Sequence, residues 1–171
     1  MKLRDFLVIG AITGFAACSE PYKATDTSVV VAPDGTVTSF NNQYPNASNV
    51  VWTRYDAAVV PIDWELAGWS AMDNNDYLVR FDMDNENYYA WYDDSGNWVG
   101  TAYVVKDVKS LPEAVSKAVY DKYSGYTIST VNREFQKDRM VYEIEAKNAN
   151  NSKVKLLVDG NGNIIKEKVK S

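Results

Sequence analysis

The chain has 171 residues, of which 46% are hydrophobic, and its 18 basic side chains against 23 acidic ones give a formal charge of −5. Such a length and composition suit one or two small packed domains rather than a disordered tail. The acidic balance, with no basic run before the C-terminus, argues against nucleic acid as a partner, because phosphate recognition needs a concentrated basic surface. Histidine is absent, which removes imidazole general bases, Ser-His-Asp sites and His-containing metal sites.

The N-terminus reads as an address. Met1-Lys2-Leu3-Arg4 supplies a positive start, and the apolar run from Phe6 to Ala17 is too short to span a bilayer as a mature helix. It closes on Phe15-Ala16-Ala17-Cys18, which resembles the bacterial lipobox, where small residues precede a lipidated Cys. The expected division is a leader over 1–17 and a lipidated N-terminus with a polar tether over 18–33, ending in a short strand around Val29-Val30-Val31. The resemblance implies palmitate on Cys18 and several acyl chains, enough to hold a protein stably on a membrane. An ordinary leader cut near Ala17, leaving Cys18 a free thiol, is the alternative.

Next in the chain, Val37, Phe40 and Tyr44 mark a short helix after Asp34 that Pro45 ends. Strand patterns follow, interrupted by residues 57–75, and Tyr92-Asp93 with Gly96-Asn97-Trp98 forms a turn. In Ser110-Leu111-Pro112-Glu113 a Ser with Glu three residues later spells a capping box, so a second helix should start there. Ala114, Val115, Ala118 and Val119 fall on one face of it, and Gly125 stands where a C-terminal glycine belongs. Met140, Tyr142, Ile144 and Ala146 then alternate with Val141, Glu143, Glu145 and Lys147, as do Val154, Leu156 and Val158 with Lys153 and Lys155, giving strands with one wet face. Asp159-Gly160-Asn161-Gly162 is a hairpin turn, and the alternating charges of Lys166 to Lys170 suit a guarded edge strand.

The two halves repeat one order. Gln43-Tyr44-Pro45-Asn46 corresponds to Lys122-Tyr123-Ser124-Gly125, Arg54 to Arg133, and Tyr92-Asp93 with Gly96-Asn97-Trp98 to Val158-Asp159 with Gly162-Asn163-Ile164. The expected units are residues 34–106, with an insertion at 57–75, and residues 107–171. The fold class is α+β, with two tandem helix-plus-antiparallel-sheet repeats of about four strands each, each apolar face needing cover.

Leu111-Pro112-Glu113-Ala114-Val115, Tyr123-Ser124-Gly125, Tyr142-Glu143-Ile144-Glu145 and Val158-Asp159-Gly160-Asn161-Gly162-Asn163-Ile164-Ile165 together resemble the PepSY-like domains of Bacteroidetes lipoproteins, related in fold to the β-lactamase inhibitor protein. The resemblance covers roughly residues 33–170 and is weaker in the first half, which lacks the LPEA-type helix start. It implies one curved antiparallel sheet with helices on one face and a ligand-facing opposite side; in the inhibitor family that open face grips a partner protein.

The composition carries no recognisable catalytic motif, so catalytic residues, metal ligands and cofactors are all expected to be none. Asp82-Met83-Asp84-Asn85-Glu86 looks like the start of a calcium loop, but Asn87 occupies the place of its glycine, and a hairpin explains it better. The distinctive feature is aromatic. Tyr89, Trp91 and Trp98 stand where the second unit has Lys155, Leu157 and Ile164, with Trp64 and Trp69 in the insertion and Arg80 alternating onto the same face. Exposed together, these six residues would form a partner-binding patch; the alternative is that the rings fill a core or are covered by the insertion, since one slipped register flips every side chain. The expected function is non-enzymatic binding of an envelope protein or peptide through the open sheet face. Glycan binding by exposed rings and a histidine-free enzyme with convergent carboxylates are the alternatives. The expected location is the bacterial cell envelope, anchored to the outer membrane by lipid alone and facing the periplasm or the surface.

Overall fold

A computed structural model describes residues 29–170, so the leader, Cys18 and most of the tether lie outside the described residues. The chain runs through helix α1 (Asp34–Gln43), strand β1 (Ser48–Arg54), a 3₁₀ turn (Ala57–Val59), helix α2 (Trp64–Ala67), and strands β2 (Tyr77–Met83), β3 (Glu86–Tyr92) and β4 (Trp98–Val104). After a second 3₁₀ turn (Val108–Ser110) come helix α3 (Glu113–Lys122) and strands β5 (Thr127–Gln136), β6 (Arg139–Lys147), β7 (Lys153–Asp159) and β8 (Ile164–Lys170). All eight strands form one antiparallel sheet in sequence order, so the fold is α+β, with α1 and α2 before β2 and α3 between β4 and β5.

Alternation sets the two faces. Tyr77, Val79 and Phe81 of β2 and Ala90 and Tyr92 of β3 face α1, whose Phe40 is buried among them. Val131, Tyr142, Ile144, Ala146, Val154, Leu156 and Val158 pack under Val115 and Val119 of α3. The registers Tyr103↔Arg133 and Arg133↔Tyr142 carry one face across the junction, which puts α1 and α3 on the same side of the sheet. At the outer edge the tether pairs with β1 through a bridge from Val29 to Thr53, and the Val30 N–H donates to the Trp52 carbonyl at 3.0 Å.

The helix starts differ from the capping-box expectation. The Ser110 hydroxyl donates to the Asp107 carbonyl at 2.7 Å inside the preceding 3₁₀ turn, and Pro112 occupies the N-cap with no side-chain cap. The reason is steric: a residue before proline is driven to extended backbone, and Leu111 (φ −61°, ψ 142°) holds Ser110 away from the first helical turn. Pro33 plays the same part for α1, and both helices close alike, with the Tyr44 and Tyr123 N–H groups each 2.8 Å from a carbonyl, those of Phe40 and Val119.

The two Gly-Asn turns also form alike. The Asp93 carboxylate accepts from the Asn97 N–H at 2.8 Å and Nδ2 at 2.9 Å; Asp159 accepts from the Asn163 N–H at 2.9 Å and Nδ2 at 2.8 Å. These bonds hold the Asp159 carboxyl below its ordinary value, Asn163 contributing most. Gly162 has φ +86°, and a Cβ there would run into the Ala114 carbonyl, because the hairpin tucks under the first turn of α3. Gly125 has φ +82° but open space around it. Gly125→Ala is therefore expected to cost about 1 kcal/mol from backbone strain alone, and Gly162→Ala about 2–4 kcal/mol because a backbone clash adds to it. Urea unfolding of the two variants side by side checks the difference.

Candidate functional site

The face opposite the helices was expected to be open, but residues 57–75 lie across it. Asp63 caps α2, accepting from the Leu66 N–H at 3.2 Å, and Gly68 ends it at φ +69°. Leu66 then packs on Val141 and Leu157 of the second half. Polar contacts fix the segment along its length. The Asn132 amide donates to the Pro61 carbonyl at 2.8 Å, the Asp63 N–H to Glu143 Oε2 at 2.6 Å, and the Arg139 guanidinium to the Ala67 carbonyl at 2.7 Å. Lys155 lies 3.4 Å from Asp63 and 3.2 Å from Glu143, while Lys168 lies 3.5 Å from Asp63 and 2.6 Å from Glu65.

The aromatic residues are correspondingly rearranged. Trp91 is 0% exposed and Trp69 6%. Trp64, Trp69 and Trp91 form a cluster with centroids 5.3–5.5 Å apart, edge to face, the geometry that suits ring quadrupoles. Trp69 lies so close over Gly100 that a Cβ there would penetrate its ring. These three rings form a separate core on the non-helix face, Trp64 at its partly buried edge, rather than an exposed patch, because the insertion brings its own tryptophans down onto Trp91. Trp98 is displaced for a separate reason. A bulge pairs Tyr92 with Trp98 but Trp91 with Gly100, which turns Trp98 to the helix face, where its Nε1 donates to Thr101 Oγ1 at 2.9 Å.

Two of the six expected residues stay together at the surface of the non-helix face. Arg80 and Tyr89 are direct cross-strand neighbours, both half-buried, and Tyr89 stacks on Trp91 with centroids 6.3 Å apart. Burial raises the Tyr89 pKa, with Arg80 opposing it. A shallow groove of about 350 Å³ runs beside them, lined by Asn49, Val51, Arg80, Asp82, Asn87 and Tyr89 among others. At its end the Asp82 carboxylate accepts from Asn49 Nδ2 at 2.7 Å and also from Asn87. The neighbouring Asp84 and Asn85, both with positive φ, make the tight β2–β3 hairpin turn. Among the described residues no group of three or more Asp, Glu, Cys or His side chains is placed to hold a metal ion.

Sequence reasoning missed the ionic centre under the insertion. Glu134 is 1% exposed, and neither carboxyl oxygen has a hydrogen-bond donor. Burial, and then the charge of Glu143, raises its pKa well above the ordinary 4.5. A protonated Glu134 can donate to Glu143, which gives one of its two unpaired oxygens a partner. Burial opposes the charge on Lys155, but Glu143 and Asp63 outweigh it and keep its pKa up. Burial also opposes ionisation of Asp63, yet the Leu66 N–H, Lys155 and Lys168 hold its carboxyl low. The signal available in the sequence was the alternation of Asn132 and Glu134 against Val131 and Arg133, which reads equally as a wet face.

This architecture matches a known family. Residues 75–166 match the model described as "Putative beta-lactamase-inhibitor-like, PepSY-like", and the chain belongs to that family. Among solved structures it is similar to a DUF2874 family protein from Bacteroides uniformis ATCC 8492, with TM-score 0.62 and 22% identity over 81% of this chain and 90% of that one. It is also similar to a BLIP-like protein from Bacteroides fragilis NCTC 9343, with TM-score 0.63 and 17% identity over 82% and 87% of the two chains. A third, from Bacteroides eggerthii DSM 20697 and described as a "putative periplasmic" protein, has TM-score 0.61 and 17% identity over 82% and 90%. None of the curated proteins compared matches the chain. Among the described residues no helix is long and apolar enough to cross a membrane.

Proposed function

We propose that the chain is a non-enzymatic lipoprotein of the bacterial cell envelope, anchored through Cys18, that binds a protein or peptide partner through the strip of sheet left bare by residues 57–75. The observation that carries this reading is the cross-strand pair Arg80 and Tyr89, half-buried on a face that the insertion seals elsewhere. Arg and Tyr are the residue types that gain most on desolvation at an interface, and the groove beside Val51 offers a concave seat next to them. Glycan stacking loses its support, since Trp64, Trp69 and Trp91 are packed against one another. A periplasmic compartment agrees with the description of the Bacteroides eggerthii structure.

The test is capture from detergent-solubilised envelope by the full chain and by an Arg80→Glu, Tyr89→Ala double variant. A specific protein captured by the wild type should fall at least about tenfold with the variant, while the variant keeps its cooperative unfolding transition. Equal capture by both would overturn the assignment.

A further inference from the structure

The strip of sheet that residues 57–75 leave bare is two rungs deep. Cross-strand pairing sets Val51, Arg80 and Tyr89 side by side in one rung and Asp82 and Asn87 in the next, with Asn49 of β1 closing onto Asp82. The rung on the other side, Leu78 and Trp91, is sealed under the insertion. Neighbouring strands lie about 4.8 Å apart and same-face residues about 7 Å apart, so the strip measures roughly 10 Å across three strands by 7 Å along them. That suits two side chains of an extended segment, whose same-face spacing is also about 7 Å. A helix, about 10–12 Å in diameter, would ride up on the insertion.

The two rungs carry opposite charges at that spacing. Arg80 lines the groove, half-buried, and among the described residues it has neither an ion pair nor a hydrogen-bond partner. The cations bordering the insertion on this face differ: Lys155 and Lys168 share Asp63, and Arg139 donates to the Ala67 carbonyl. Asp82 also lines the groove, and its carboxylate accepts from Asn49 and Asn87, which hold its pKa below the ordinary value. A carboxylate has about four lone-pair sites, and the two asparagines take two of them. Lys106, the nearby cation, is occupied by Glu86 at 3.3 Å. The strip therefore presents an unmatched guanidinium fork, for which a carboxylate is the fitting group, and two residues along β2 a carboxylate with room for a further donor.

We propose, resting on the docking assignment of Arg80 and Tyr89 above, that this groove takes an extended segment of the partner carrying an acidic and a basic residue two positions apart. The acid sits on Arg80, flanked by Val51 and the Tyr89 ring, and the base on Asp82. The probe is the peptide acetyl-Thr-Glu-Thr-Lys-Thr-Glu-Thr-amide, titrated into isotope-labelled full chain and followed by amide NMR shifts. Its control, acetyl-Thr-Thr-Glu-Lys-Thr-Thr-Glu-amide, has the same composition but no opposite charges two apart. The alternating peptide should give saturable shifts at Arg80, Asp82, Asn87 and Tyr89, with a dissociation constant on the order of 1 mM. The control should bind at least about fivefold more weakly. Arg80→Gln should weaken the alternating peptide about tenfold, and Lys117→Gln, on the exposed side of α3, should leave its affinity unchanged. No saturable shifts, equal affinity for the two peptides, or unchanged affinity in folded Arg80→Gln would each overturn the proposal. If envelope capture still falls in the Arg80→Glu, Tyr89→Ala variant, such a result removes the charge pattern and leaves the docking strip standing; capture insensitive to that variant removes both. A dimer that shuts the peptide out of the groove and dissociates in Arg80→Gln would make the occupant a second copy and likewise overturn the proposal.

Discussion

Trp91→Ala is expected to lower the free energy of unfolding by about 3–5 kcal/mol, as full truncation of a buried Trp does. Trp91 is 0% exposed and bears the weight of Trp64 and Trp69 on one side and of Tyr89 on the other. Its removal leaves a cavity under the very segment that closes the non-helix face. The variant should therefore also become sensitive to limited proteolysis within residues 57–75 before global unfolding. Tyr89→Ala, on a half-buried neighbour of the same strand, should cost about 1 kcal/mol and leave that segment protected. A Trp91→Ala variant with an unchanged urea midpoint would return this ring to the surface.

The second large effect is on pH dependence. Glu134 is raised by burial and by Glu143, so the folded chain keeps a proton that the unfolded chain releases above the ordinary value of 4.5. Its contribution to stability is complete below that value and is lost progressively as pH rises through the raised one. Asp63 acts on the other side: its lowered carboxyl stabilises the fold above the ordinary 3.8 and loses that contribution as pH falls further. Glu134→Gln keeps a neutral donor at all pH values, so its stability profile should be flat from about pH 5 upward, where the wild type declines. Glu143→Gln removes the charge facing Lys155 and is expected to cost about 1–3 kcal/mol at neutral pH. Denaturant unfolding across the pH range reads both; parallel profiles for wild type and Glu134→Gln would show that Glu134 is ionised in the fold.

Much of the helix side was legible in the sequence. Val115 and Val119 fall at helical spacing and form the buried face of α3 as expected, and Tyr142, Ile144 and Ala146 face that helix because the period-two pattern of β6 is clean. The Asp-Gly-Asn turn after Val158 forms where Gly and Asn can take the backbone that a tight reversal needs. The non-helix side was less legible, for two physical reasons. A single bulge beside Trp91 separates Trp98 from its expected face, and no local pattern announces a bulge. The course of residues 57–75 depends on contacts made far along the chain, by Leu66 with Leu157 and by Asp63 with Lys155, which spacing within the segment cannot encode. Glu143 and Lys155 therefore look like wet-face residues in the sequence, while in the fold they are covered polar partners of the insertion. Of the expected site, Arg80 and Tyr89 keep their shared face because the β2–β3 register is regular throughout.

The most direct test of the proposed docking surface is site-specific photo-crosslinking in intact cells, with a photoreactive phenylalanine placed at Tyr89 in one chain and at Lys117, exposed on the outer side of α3, in another. A discrete adduct from position 89 and none from position 117 is the expected result. An adduct from position 117 alone would move the docking surface to the helix side and contradict the assignment of Arg80 and Tyr89.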